Sequence, residues 1–167
     1  MLASWKKEEL VGGAGKLLPA SYWQGVIARA RGDGTKATEA FTRARASVEA
    51  QLAQQPDDPI WLVTLGLLDA GLGRKEEALR EGRRAVELRP LTEDAVDGAT
   101  VLVSLATIYA WLGDVKSSLD QLEFLVRIPN GLSFGELKYD PAWDAVRGDP
   151  RFPAILKELQ PKAKQTR

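Results

Sequence analysis

"WLVTLGLLDAGLGRKEEALREGRRAVELRP", residues 61–90, decides how this chain folds. Apolar side chains recur at helical spacing from Trp61 to Leu72. Gly73 then interrupts them, and a charged run carries Ala78, Leu79, Ala85, Val86 and Leu88 toward one face until Pro90. Glycine permits the left-handed residue that commonly closes a helix, and proline, lacking an N–H, stops the next one. The stretch therefore reads as helix, tight turn, helix. Two such helices approach closely only where side chains are small, which suits Gly66, Ala78 and Ala85 to the crossing points.

The unit recurs. In "LVSLATIYAWLGDVKSSLDQLEFLVRIP" (102–129), Leu105-Ala106 falls on Leu65-Gly66, Gly113 on Gly73, Ser118 on Ala78, Leu122 on Gly82 and Leu125 on Ala85. Upstream, "YWQGVIARARGDGTKATEAFTRARASVEAQLAQQP" (22–56) places Gly25 and Gly32 at the Gly66 and Gly73 positions, with Ala37, Phe41 and Ala44 on the second helix. The expected organisation is an N-terminal helix and linker over 1–18, three repeats in 19–130 (about 19–56, 59–90 and 99–130), and a C-terminal capping segment and tail over 131–167.

Leu65, Gly66, Ala78 and Pro90, and again Leu105, Tyr109 and Pro129, match the W-x2-L-G-x2-Y…A-x3-F…P signature, so the chain resembles the tetratricopeptide repeat. Its period is longer than that family's: Gly73 to Gly113 is 40 positions. The excess is assigned to "LTEDAVDGA" (91–99) and to a first-repeat helix running to about Gln55. The resemblance implies an all-α fold, a right-handed superhelical stack of about three tetratricopeptide-like helical hairpins with a C-terminal helical cap. From Pro19 to Leu159 the chain is also similar to the C-terminal repeat region of bacterial multidomain signalling proteins, where such repeats follow an adenylate cyclase, a serine/threonine kinase or a winged-helix regulator. That likeness implies a scaffolding or regulatory module without catalysis.

Composition narrows the chemistry. The 167 residues contain neither cysteine nor histidine. Disulfides, thiolate nucleophiles, Cys/His zinc sites and imidazole bases are thereby excluded, and no catalytic residue, metal or cofactor is expected. Twenty-three basic residues balance twenty-three acidic ones, which argues against nucleic acid as partner. No apolar run approaches a membrane span, and "MLASWKKEELVGG" is too charged for a secretory signal, so a soluble, cytoplasmic chain without membrane insertion is expected. "GGAGKLL" (12–18) fails as a phosphate loop, since Leu17 stands where Ser or Thr is needed and Leu10 where Gly is. "RGD" (31–33) reads as part of the first repeat's turn, and "GRKEEALREGRRAVELR" (73–89) as a solvated face with mutual ion pairs.

The candidate site follows from the resemblance: in tetratricopeptide arrays the first helix of each pair lines a groove that accepts a peptide. By alignment the lining here is Trp23, Val26, Arg29, Val63, Leu67, Ala70, Val103, Thr107, Ala110 and Trp111. The expected function is binding of a protein or peptide partner on this concave face. Competing readings are a groove filled by the chain's own ends ("MLASWKKEEL", or the tail around Leu132, Phe134 and Leu137), an oligomerisation module, and a small carboxylate hydrolase using the acidic tail "LKYDPAWDAVRGDPRFPAILKEL" (137–159). In that tail, Asp140-Pro141 and Asp149-Pro150 suit helix starts. Two short helices, "PAWDAVRG" and "PRFPAILKEL", would lay Trp143, Val146, Phe152, Ile155, Leu156 and Leu159 over the end of the third repeat.

Overall fold

The computed structural model describes residues 10–13, 16–128 and 131–160. Apart from one β-hairpin, the regular structure of these residues is helical. Strands β1 (Leu10–Gly13) and β2 (Lys16–Pro19) pair antiparallel, with Leu10 opposite Pro19 and Gly13 opposite Lys16. Six longer helices follow: α1 Ala20–Ala30, α2 Gly34–Leu52, α3 Pro59–Gly71, α4 Lys75–Leu88, α5 Asp97–Trp111 and α6 Val115–Leu125. The chain then forms α7 (Phe134–Tyr139), a 3-10 turn (Pro141–Trp143) and α8 (Phe152–Glu158).

One turn, used three times, makes the hairpins. Gly32, Gly73 and Gly113 have φ of 75°, 76° and 77°, the region open to glycine without steric cost. At each, the glycine N–H donates to the carbonyl three residues back and the next N–H to the carbonyl five back: Gly73 to Ala70 (3.1 Å) and Arg74 to Asp69 (2.8 Å), Gly113 to Ala110 (3.2 Å) and Asp114 to Tyr109 (2.9 Å), Gly32 to Arg29 (3.0 Å) and Asp33 to Ala28 (3.0 Å). This Schellman closure satisfies carbonyls that a helix end leaves free. The residue after each glycine then begins the following helix. Asp33 accepts from the Lys36 N–H and Asp114 from the Ser117 N–H, both at 3.1 Å, whereas Arg74 supplies no side-chain cap.

Helices pair as α1·α2, α3·α4 and α5·α6. The second hairpin meets the third along two seams, α3·α5 and α4·α5, but the first meets the second mainly through α2·α3. The wedge at that joint is Phe41. Its ring is fully buried between Gly25 of α1 and Gly71 of α3, so close that a Cβ on either glycine would come within 2.4 or 2.6 Å of ring carbons. Gly66 and Gly82 play the same part at the next joint, where Ile108 fills the space their missing Cβ atoms leave.

A second apolar cluster joins Leu119, Leu122 and Leu125 of α6 to Leu137, Trp143, Val146, Phe152 and Ile155, so the tail covers the end of the third hairpin. Asp140 accepts from the Ala142 N–H and Asp149 from the Arg151 N–H, both at 2.9 Å, in the Asp-Pro arrangement that starts a helical turn. Arg147 holds the α7 exit by donating to the carbonyls of Leu137, Lys138 and Asp140. Arg127 and Arg151 tie α6 to α8 and its entry through Glu158, Asp120 and Glu123.

Four expectations differ from this structure. The stretch before Pro19 includes a strand pair instead of a plain linker, and buried Leu18 of the returning strand joins the core cluster that contains Tyr22. The first-repeat helix ends at Leu52, short of Gln55. "PAWDAVRG" forms a single 3-10 turn followed by irregular turns, because the next Asp-Pro restarts the chain nine residues on. An additional helix, α7, begins at a Ser133–Glu136 capping box. The helix expected at the extreme N-terminus, and Pro129 as a helix stop, lie outside the described residues.

Candidate functional site

Helices α1, α3 and α5 are the first members of the three hairpins. Because α1 stands off from α3, space remains beside α5, in two hollows. One, of about 420 Å³, is lined by Val26, Arg29, Ala30, Ala37, Gly71, Trp111 and, from the tail, Pro141, Ala142, Asp144 and Ala145. The other, of about 300 Å³, is bounded by Leu18, Tyr22, Trp23, Val26, Leu67, Val103, Thr107 and Trp111, with Gly131, Leu132, Glu136, Asp140 and Ala142 on the tail side. Val26, Trp111 and Ala142 border both, so the hollows are two lobes of one trough.

Trp111 is its centre. The indole lies 5.8 Å from the Phe41 ring centroid and carries the Arg29 guanidinium at 4.7 Å over its face, a cation–π stack that brings hairpins one and three together. Arg29 also donates to the Trp111 carbonyl at 3.4 Å, and partial burial lowers its pKa from the usual arginine range. At the other lobe Tyr22 packs edge-on to Trp23 at 5.1 Å. Burial, reinforced by the charge of Asp140, drives its phenol well above the usual tyrosine range, so Tyr22 is neutral. Thr64 and Thr107 turn their hydroxyls onto carbonyls of their own helices, Ile60 at 2.7 Å and Val103 at 3.0 Å. The Trp23 indole nitrogen is buried without an acceptor.

Of the ten residues aligned to the groove, Trp23, Val26, Arg29, Leu67, Val103, Thr107 and Trp111 line the trough. Val63, Ala70 and Ala110 do not. They are buried, at 0%, 3% and 1% exposure, between α3 or α5 and the neighbouring helices. Val63 and Ala70 share a helical face with Leu67, and Ala110 with Val103 and Thr107, so helical spacing alone does not separate them from the residues that border the trough. Sequence reasoning missed Tyr22 and the tail residues 140–145. The tyrosine sits beside Trp23 in the alignment and could have been taken with it, whereas no local pattern places the tail across α5.

The tail aspartates have structural partners: Asp140 and Asp149 cap, and Asp144 pairs with Arg147 at 2.8 Å. Among the described residues no three His, Cys, Asp or Glu side chains converge as a metal site would require. No described helix is long and apolar enough to cross a membrane. No family model and no curated protein matches the chain.

Proposed function

We infer that this chain is a tetratricopeptide-like interaction module of a bacterial signalling system, which binds a protein or peptide partner in the trough centred on Trp111. The right-handed superhelical reading rests on the repeated turn and on the signature residues at Leu65, Gly66, Ala78 and Pro90. The observation that carries the functional reading is the trough itself: half-buried Trp23, Val26, Val103 and Trp111 border space between α1 and α5. Aromatic anchors in a partly desolvated pocket are what a binding surface needs.

A second reading, a groove closed by the chain's own tail, draws on the presence of Leu132, Asp140 and Ala142 along the wall. The two are separated by peptides selected from a displayed random library and mapped by amide shift perturbation. Shifts clustered on α1, α5 and residues 140–145, abolished by Val103→Asp and kept in the outer-face variant Ile27→Asp, support the trough. Selected peptides that shift only other surfaces overturn it, and failure to select any binder favours the tail-closed reading.

A further inference from the structure

The two lobes of the trough differ in charge. Arg29 and Asp144 border the larger, whereas the charged residues bordering the smaller are both acids, Glu136 in α7 and Asp140 at its end. Each gives one oxygen to a backbone N–H: Glu136 Oε2 accepts from Ser133 and Asp140 Oδ1 from Ala142, both at 2.9 Å. Neither acid forms an ion pair among the described residues. The cations nearby are engaged otherwise: Arg147 pairs with the Asp144 carboxylate and donates to the Asp140 carbonyl, and Lys138 lies over the Phe134 and Tyr139 rings.

A second feature of the same lobe points to a ligand. Tyr22 is 9% exposed and borders the lobe, and among the described residues its hydroxyl has no hydrogen-bond partner. Unlike the Trp23 indole nitrogen, that hydroxyl is not sealed from solvent, so a group entering the lobe can reach it. A largely buried polar group without a partner carries a desolvation cost, which a ligand that supplies the partner removes. The phenol is neutral and offers oxygen lone pairs to an N–H donor. Trp23 and Trp111 add indole rings to the wall, and Arg29 shows within this chain that a cation settles over the Trp111 ring.

We propose that the smaller lobe takes a basic side chain, lysine or arginine, of the partner peptide, with Glu136 and Asp140 matching its charge, Tyr22 accepting one of its N–H groups, and Trp23 and Trp111 covering its stem. The inference rests on the trough as the binding site and adds the chemistry of its ligand. An acidic side chain would meet two like charges there, and an apolar one would cover the Tyr22 hydroxyl without giving it a partner. Long basic side chains suit such a lobe, because their stems lie along apolar walls while the charged head stays at a polar rim. A volume of about 300 Å³ gives one such side chain room. Both acids are exposed, so pairing with them needs no deep burial of charge.

The test titrates the full chain with acetyl-Leu-Lys-Leu-amide and with its norleucine counterpart, which keeps the stem and lacks the charge, and follows amide and indole N–H shifts by NMR. The lysine peptide should shift Trp23, Trp111 and α7 and bind about tenfold more tightly, an advantage that shrinks as salt is raised. Glu136→Gln with Asp140→Asn removes both charges while Gln and Asn preserve the caps, so the thermal melt should match the wild type and the lysine advantage should fall about fivefold. Equal affinity of the two peptides for the trough overturns the cation and leaves the trough standing. A lysine advantage undiminished in the double variant overturns the part given to Glu136 and Asp140. Absence of trough shifts with either peptide at millimolar concentration also overturns the inference, while the trough itself is judged separately by the library-selected peptides. The comparison of lysine with norleucine is made on the wild type, so it decides the proposal even where the variant fails to fold.

Discussion

Replacing Gly25 with alanine tests the wedge at the first joint. In a solvent-facing helix this change gains about 1 kcal/mol, because alanine has the higher helix propensity. Here the added methyl would lie 2.4 Å from both Cδ1 and Cε1 of Phe41, well inside contact distance. The ring cannot retreat freely, since Gly71 backs it on the far side and Trp111 stands 5.8 Å away. Overpacking of this kind costs about 1–3 kcal/mol, and with both sides of the ring held the upper end applies. The net expectation is a loss of about 2 kcal/mol, or roughly 4–8 °C in Tm for a domain of this size. Urea melts of wild type, Gly25→Ala, Phe41→Leu and the double variant measure it. Phe41→Leu relieves the clash, so the second substitution should cost less in the Gly25→Ala background than in the wild type. As a control, Gly135→Ala, with nothing near its would-be Cβ, should be neutral or stabilising. Gly25→Ala as stable as wild type, or strictly additive with Phe41→Leu, would refute the argument that this glycine exists to admit the ring.

The remaining predictions are briefer. Trp143→Ala removes the largest side chain of the C-terminal cluster and should cost about 3–5 kcal/mol, with proteolysis of the tail ahead of α1–α4; a tail that stays protected counts against the capping role. Asp114→Ala should lose about 1 kcal/mol with its cap to the Ser117 N–H; a thermal melt that superimposes on the wild type would show that the cap adds nothing.

Gly32, Gly73 and Gly113 were legible because a Schellman turn requires a positive φ that only glycine adopts cheaply, so the turn is written in single residues at fixed offsets. Asp140-Pro141 and Asp149-Pro150 were legible for the same reason: capping is settled within three residues. The N-terminal hairpin was not. Its sequence reads as a linker, and Leu18 takes its place in the core cluster with Tyr22 only once the chain is folded.

Three helical hairpins and an apolar cap are thus the sequence's own contribution, since turn, cap and stop residues act within a few positions along the chain. Which faces of α3 and α5 stay open, how the tail crosses beside Trp111, and that Arg45 of α2 finds the buried Asp69 of α3 were decided only by packing. Periodicity tells that a residue is on a helix; the side chains brought up from elsewhere determine whether it ends as core or wall.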